Sequence, residues 1–300
     1  CPVCVTSMDE IDRCVKLAGE PGVTVTTFGD MLRVPGSGDS LQRCSGRGAD
    51  VRMVYASLDA LRIAEENPGR EVVFLGIGFE TTAPTVAAAV RAAVDRGIRN
   101  FSVLSAHKLL PPAMEALVSA GDLRIHGFLC PGHVSTIIGT SSYEDVAQRF
   151  GIPCVVAGFE PLDILHSVLM LVRQVESGEA RAEIQYTRAV SPEGNPAALK
   201  LMDQVFESCD STWRGLGEIP ESGLAVRSAF SAHDARARFD LDVPPAREPA
   251  GCRCAEVLKG IARPPDCALF RKTCTPRTPV GACMVSSEGT CAAYFKYHAG

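Results

Sequence analysis

The stretch VVFLGIGFETTAPTVAAAVRAAVDR, residues 72–96, decides the fold class of this chain. Residues 72–77 are mostly apolar and β-branched and predict a buried strand. Residues 85–96 are rich in alanine and valine and predict a helix that begins near Pro84. A strand that leads directly into a helix is typical of a parallel sheet covered by helices, so we expect an α/β protein.

The same alternation continues on both sides of this stretch. It predicts strands at residues 23–27, 101–105, 125–130 and 153–157, and helices at residues 54–66, 112–119, 143–150 and 162–175. After about residue 185 the sequence is irregular and rich in glycine and proline. We therefore predict two parallel-sheet α/β units, residues 1–66 and 67–185, followed by a C-terminal cysteine-rich domain, residues 186–300.

The bulk properties exclude several classes of function. A net charge of -5 and the absence of a Lys/Arg run argue against a nucleic-acid partner. No apolar stretch reaches the roughly 20 residues that cross a bilayer, and no basic segment followed by an apolar run opens the chain. We expect a cytoplasmic protein that is not in a membrane, and we interpret a start at Cys1 rather than methionine as a piece of a longer chain.

Ionisable residues follow the predicted strands where each strand ends. They are Glu80, His107, His133 and Glu160. Because the carboxyl ends of parallel strands share one edge of a sheet, these side chains can meet there and handle protons or orient a thiol. Each of them alone is equally compatible with a solvated loop. A nucleotide site is disfavoured because the third glycine of the dinucleotide loop is replaced by Thr81.

The C-terminal cysteines suit a soft metal centre. Cys267, Cys274, Cys283 and Cys291 are six to eight residues apart in a segment rich in proline and glycine. Four thiolates suit either zinc or an iron-sulfur cluster, and this loose spacing favours the cluster over the tight knuckles of zinc sites. Cys252 and Cys254 remain open as spare ligands, a redox pair or packing residues.

A second thiol motif opens the chain. Cys1-Pro-Val-Cys4 has the two-residue gap of dithiol oxidoreductases, although the same gap also serves metal knuckles. An iron-sulfur cluster near this dithiol would allow electrons to pass between them. The chain has 300 residues, 46% of them hydrophobic, and an odd number of cysteines, 13. These properties argue against a disulfide scaffold.

Together these motifs resemble one known family. The blocks that carry the resemblance are CPVCVT from Cys1, TFGDMLRVPG from Thr27, GFETTAP from Gly78, PGHVSTIIG from Pro131 and VGACMVSSEG from Val280. They look like the HypD family of hydrogenase maturation factors, and the similarity extends over nearly the whole chain.

The resemblance implies an assembly scaffold with α/β domains around a central cleft. On it, with the small chaperone HypC and the cyanide donor HypE, iron receives the ligands of a transient Fe(CN)2CO unit for nickel-iron hydrogenase. It also implies a 4Fe-4S cluster on Cys267, Cys274, Cys283 and Cys291 and a redox-active dithiol at Cys1 and Cys4. The family has an upstream segment of Cys-Gly-Gly-His-Thr type, which is absent from this chain.

Two other interpretations of these residues remain open. The chain could be a stand-alone iron-sulfur thiol-disulfide oxidoreductase, or its C-terminal part could be a structural zinc domain. We take Cys1, Cys4, Glu80, His107 and His133 as the candidate reactive residues under the scaffold reading.

Overall fold

The larger of two parallel sheets is formed by the first half of the chain. The computed structural model describes residues 1–121, 123–246 and 249–298. Four parallel strands pair in the order β2-β1-β3-β4. They are β1 (Val23–Thr27), β2 (Val51–Met53), β3 (Glu71–Gly76) and β4 (Phe101–Ser105). The strands at 23–27 and 101–105 have the predicted bounds.

Helices lie along the chain between these strands and cover the sheet. They are α1 (Pro2–Val5), α2 (Met8–Gly19), α3 (Leu41–Gly46), α4 (Ser57–Glu66) and α5 (Ala83–Arg96). All five residues of β1 are buried, threonines included, because helices exclude water from both faces of such a sheet. Thr26 satisfies its hydroxyl by donating to the Val73 carbonyl at 3.1 Å.

A second parallel sheet of three strands follows, in the order β5-β6-β7. Its strands are β5 (Phe128–Pro131), β6 (Cys154–Ala157) and β7 (Ala182–Ile184), and its helices are α6 (Leu110–Ser119), α7 (Gly132–Ile138), α8 (Ser141–Phe150) and α9 (Pro161–Ser177). The predicted α/β class with two parallel sheets is thereby confirmed. Within the described residues, each helix is too short or too polar to span a bilayer.

The sheets group the strands differently from the predicted units 1–66 and 67–185. β1 and β2 precede residue 66 and β3 and β4 follow it, yet all four share one sheet because β1 pairs with both β2 and β3. The change from one sheet to the other comes between β4 and β5. A hydrophobic pattern identifies a strand but does not say which neighbour it pairs with.

The region after residue 185 is more regular than the sequence suggested. It contains α10 (Pro196–Val205) and an antiparallel hairpin of β8 (Phe206–Trp213) and β9 (Gly217–Val226). Phe206, Leu224 and Val226 are buried in the same apolar cluster as α4, α5 and strands of the first sheet. The hairpin is therefore an extension of the first unit rather than part of a separate cysteine domain.

The remainder of the chain is mostly loop. Short helices interrupt it, namely α11 (Ala235–Arg238), α12 (Cys254–Leu258) and α13 (Thr290–Tyr297), together with 3-10 turns at Pro264–Asp266 and Ala282–Met284. Phe270 and Met284 centre a small apolar cluster that includes three of the cysteines. This segment is the cysteine-rich region predicted from the sequence.

Helix α9 buries polar side chains and exposes apolar ones, the reverse of the usual distribution. Its most buried residues are polar, namely Asp163, Ser167 and Gln174, each at most 4% exposed. Leu162 and Leu165 are 78% and 65% exposed. The two carboxyl oxygens of Asp163 accept hydrogen bonds from the two terminal nitrogens of Arg188, at 2.9 Å and 2.6 Å, and these bonds hold the helix in place. The helix is therefore attached to its sheet largely through polar groups.

Candidate functional site at a cysteine-rich cavity

All six cysteines of the C-terminal segment line one cavity. They are Cys252, Cys254, Cys267, Cys274, Cys283 and Cys291. The other walls are mainly apolar and include Val257, Leu269, Phe270 and Met284. Loops, short helices and a 3-10 turn thus bring together thiols spread over forty residues of sequence.

The thiol of Cys4 reaches this group through Cys283. Cys254 donates to the Cys283 sulfur at 2.8 Å, and the Cys4 thiol interacts with the same sulfur. These two interactions, that with Cys254 first, lower the pKa of Cys283, which favours its thiolate form. The pKa of Cys4 is raised by the same contact, which keeps its proton in place.

Two glycines allow the thiols to approach the backbone. A Cβ atom on Gly281 would lie 2.9 Å from the Cys252 sulfur, and one on Gly289 would lie 2.2 Å from the Cys283 carbonyl oxygen. The backbone also contacts the sulfurs directly, because Val280 N–H donates to Cys274 Sγ at 3.4 Å. Only glycine fits at either position without a shift of its neighbours.

The donor set of the cavity has the chemistry of a soft metal centre. Among residues 1–121, 123–246 and 249–298, no group of three or more His, Cys, Asp or Glu side chains is arranged to hold a metal ion. The cavity instead offers six sulfur donors in an apolar setting, with an N–H group aimed at one of them. Soft thiolates, apolar walls and hydrogen bonds to sulfur are the features by which proteins hold and tune such clusters.

The front dithiol lies at the start of α1. Cys1 is the N-cap of this short helix, and Cys4 N–H donates to the Cys1 carbonyl at 3.1 Å. Cys4 is buried and Cys1 is partly exposed. Val5, next along the helix, packs in one apolar cluster with Phe79 and Trp213, so the dithiol helix borders the loop that carries Glu80.

Glu80 is buried behind this loop rather than exposed at the sheet edge. One carboxyl oxygen accepts from Leu110 N–H at 2.9 Å at the start of α6, and the other is buried with no partner among the described residues. Burial is the main reason that the pKa of Glu80 rises to about 7, although the N–H group opposes the shift. A carboxyl group in this range can donate or accept a proton near neutral pH.

Glu80 should make the chain less stable as the pH rises. Its folded-state pKa is above the ordinary 4.5, so between these values the folded protein keeps a proton that the unfolded chain has lost. The contribution of Glu80 to the free energy of unfolding should fall by about 3 kcal/mol from pH 4.5 to 7 and then level off, against an opposing contribution from the buried His107. Glu80→Gln, which keeps the acceptor for Leu110, should therefore raise the free energy of unfolding at pH 7 relative to that at pH 4.5 by about 3 kcal/mol compared with the wild type in urea titrations. The exposed Glu115→Gln is the control, and an unchanged pH profile for Glu80→Gln would contradict the assignment.

His107 also points inward, under the β8–β9 hairpin. The Ser105 hydroxyl donates to the Leu224 carbonyl at 2.6 Å, so its oxygen accepts from His107 Nδ1–H at 3.0 Å. The ring is therefore neutral with a bare Nε2, which is buried and has no partner among the described residues. Burial, and secondly Lys108, lower the pKa of His107 to about 3. Its surroundings place it away from the cysteine cavity.

Lys108 was not singled out from the sequence. Only 2% of it is exposed, and its ammonium donates to the Thr212 carbonyl at 2.9 Å and to the Ser211 hydroxyl on β8. Burial lowers its pKa to about 8. The contacts show that it joins the loop after β4 to the hairpin.

His133 is the predicted rim residue that faces the cysteine segment. It lies in the first turn of α7, exposed to solvent, with its ring 5.3 Å from the ring of Phe159. Partial desolvation lowers its pKa, and the nearby Glu288 carboxylate of the cysteine segment opposes this shift. Glu160 stays in solvent, 3.9 Å from Arg188. The four predicted rim residues thus differ in their surroundings, because Glu80 and His107 are buried whereas His133 and Glu160 are exposed.

Comparison with known proteins agrees with this arrangement of motifs. The sequence profile described as "Hydrogenase formation hypA family" and labelled HypD matches residues 1–298. The chain belongs to the HypD family of hydrogenase maturation factors. The match includes the CPVC motif, both parallel sheets and the cysteine-rich segment.

Curated HypD proteins are similar along the whole chain. Hydrogenase maturation factor HypD2 of Bradyrhizobium diazoefficiens is 50% identical over 99% of this chain and 80% of its own length. The HypD of Rhizobium leguminosarum bv. viciae is 49% identical over 99% and 79%, and that of Rhodobacter capsulatus is 49% identical over 99% and 80%. The resemblance inferred from short motifs is therefore confirmed over the full sequence.

Sequence reasoning left Cys252 and Cys254 outside the predicted HypD ligand set. The structure places both in the same cavity as the predicted four. Their Cys-x-Cys spacing is one residue shorter than a zinc knuckle, and spacing alone could not reveal how a loop folds back. The signal that pointed to them was their position within the same cysteine-dense forty residues.

Proposed function

We propose that this chain is the scaffold on which the Fe(CN)2CO unit of nickel-iron hydrogenase is assembled. The observation that supports this most is the contact of Cys4 with Cys283, which joins the front dithiol to the C-terminal thiols. Membership of the HypD family gives the reaction context. The thiol chemistry requires a reducing compartment, so we place the reaction in the cytoplasm.

A 4Fe-4S cluster on Cys267, Cys274, Cys283 and Cys291 is the cofactor that we propose. When bound, such a cluster supplies single electrons. Of the four thiols, Cys283 has its pKa lowered by its neighbours, which favours the thiolate form that a ligand needs. Cys254 is placed as well as Cys283 for the fourth position, because their sulfurs are 2.8 Å apart.

The dithiol is proposed as the redox partner of this centre. Oxidation of Cys1 and Cys4 forms one S–S bond, releases two protons to solvent and gives up two electrons. A one-electron centre would have to take up these electrons in two separate steps. Reduction reverses these changes.

The iron under construction is the substrate, with HypC and HypE as the protein partners that we propose. Low-spin ferrous iron with cyanide and carbon monoxide is a soft centre, which thiolate ligands suit. His133, beside the cysteine segment, and Glu80, with a pKa of about 7, are the groups placed to accept or donate protons during ligand transfer. His107 is buried away from this region, and we assign it no contact with substrate.

Genetic complementation tests the proposed function as an assembly scaffold. The gene that encodes this chain is expressed in a host that lacks its own HypD, and nickel-iron hydrogenase activity is measured. Cys4→Ser should reduce activity at least about a hundredfold, since a serine cannot form the disulfide. Cys209→Ser, a partly exposed cysteine outside the cavity, should leave activity unchanged.

An infrared measurement separates the scaffold from the oxidoreductase alternative. The chain purified anaerobically with HypC should show cyanide and carbon monoxide stretching bands, and Cys4→Ser should lack them. Turnover of a protein disulfide by the wild type, without these bands and without complementation, would favour a stand-alone oxidoreductase.

A further inference from the structure

A cavity of about 500 Å³ lies on the outer side of the cysteine segment. One wall is formed by residues 33–43, which lie after β1 and enter the first turn of α3, and the other by the loop of residues 273–280, which contains Cys274. We call it the arginine cavity after Arg33, Arg43 and Arg277, which line it. Its volume falls within the range of small-molecule sites.

The arginine cavity is positively charged in a protein whose net charge is -5. Arg33 donates to the Val285 carbonyl at 3.4 Å, and none of the three guanidinium groups forms an ion pair within the part of the chain that the structure describes. Asp39 is the single acid in the described lining, and Arg47 neutralises it. Three unpaired arginines that face one cavity attract an anion.

The first wall of the cavity is held in a fixed shape by α2. Both carboxyl oxygens of Asp12 accept from Ser37, one from its N–H at 2.8 Å and one from its hydroxyl at 2.5 Å. Gly36 N–H donates to the Asp39 carbonyl, and a Cβ atom on Gly36 would lie 2.3 Å from Asp12. A preformed loop loses less conformational entropy when a ligand binds.

The second wall is continuous with the cysteine cavity. Val280, at its end, contacts Cys274 through its N–H group, and Gly281 packs against Cys252. An anion held between Arg43 on one loop and Arg277 on the other would fix the position of the 273–280 loop. Occupancy of the arginine cavity is in this way connected to the thiols.

We propose that the arginine cavity binds a small phosphorylated molecule, whose phosphate groups bridge the loops 33–43 and 273–280. The planar guanidinium fork matches phosphate oxygens two at a time. Three isolated cations are too few for a nucleic-acid track, which needs an extended basic surface. This site is separate from the thiols and from the iron proposed as substrate.

The test is isothermal titration calorimetry of the full chain, purified anaerobically, with pyrophosphate as the probe and citrate as a carboxylate of comparable charge. We expect pyrophosphate to bind one site and citrate to bind at least tenfold more weakly. The triple variant Arg33→Gln, Arg43→Gln, Arg277→Gln should weaken pyrophosphate binding by about a hundredfold or more. Hydrogen exchange at residues 273–280 should slow on binding in the wild type only.

A matched control removes the same charge elsewhere. Arg62, Arg91 and Arg96 are exposed on α4 and α5, and each pairs with a nearby carboxylate. Their triple glutamine variant should bind pyrophosphate as the wild type does. Equal weakening in both triple variants, equal binding of citrate, or no binding to the wild type would overturn the proposal.

Discussion

Replacing Cys274 or Cys291 with serine should remove the protein-bound iron and labile sulfide, from about four of each per chain to less than about one. Serine offers a hard oxygen where the cluster needs a soft thiolate. The surrounding segment has only the short helices α12 and α13 and one small apolar cluster, so we expect a bound cluster to contribute much of its order.

The measurement is iron and sulfide analysis after anaerobic reconstitution. Cys209→Ser on β8 controls for the loss of a thiol elsewhere. Zinc without sulfide in the wild type would exclude the cluster and support a structural zinc domain. Full iron content in both Cys274→Ser and Cys291→Ser would contradict the ligand set.

The pair Cys254 and Cys283 decides the fourth ligand. The sequence motif assigns it to Cys283, and we expect Cys283→Ser to lose iron while Cys254→Ser keeps it. The sulfurs are neighbours in the same apolar cavity, so the two substitutions are matched in chemistry, although Cys283 is buried and Cys254 only partly so. The opposite result would move the fourth ligand to Cys254 and leave Cys283 as the sulfur between the cluster and Cys4.

A second large effect is expected in acid, and it comes from His107. Its folded-state pKa of about 3 is below the ordinary 6.5, so between these values the unfolded chain binds a proton that the folded protein does not. The stabilisation is complete above pH 6.5 and is lost as the pH falls. The loss should be about 1.4 kcal/mol for each pH unit below 6.5, or about 3 kcal/mol at pH 4.5.

His107→Asn isolates this effect. Asparagine can still donate to Ser105 but does not titrate, so the free energy of urea unfolding at pH 7.0 minus that at pH 4.5 should be about 3 kcal/mol lower in the variant than in the wild type. His166→Asn, an exposed histidine on α9, is the control and should leave the difference unchanged. A wild-type difference equal to that of His107→Asn would show that His107 takes up its proton in the folded state.

The parallel sheets could be predicted because their strands are short and apolar and lead into helices with clear periodicity. Residues 72–77 and 85–96 were found as a strand and a helix within two residues of their structural bounds. The β8–β9 hairpin was missed because its strands carry many exposed polar residues and several glycines, so no buried-strand pattern is visible. The pairing of β1 with β3 across residue 66 depends on contacts between distant segments.

The candidate site was predicted in its chemistry more than in its geometry. The types and spacing of the cysteines indicated a soft metal centre, and the structure brings all of them together with Cys4. The position of Glu80 and His107 after strands correctly placed them near a sheet edge but did not show that both turn inward. Side-chain direction there is set by the hairpin and by the start of α6, which lie far away in sequence.

The polar attachment of α9 affects how this part of the molecule opens. Detaching the helix would break the contacts of Asp163 with Arg188 and of Gln174 with Glu183 while exposing little additional apolar surface. Such an opening has a small heat-capacity change and a weak dependence on urea, and it is promoted by salt that screens the ion pair. Local excursions of α9 are thus governed by ionic conditions, whereas those of α4 and α5 are governed by the burial of hydrocarbon.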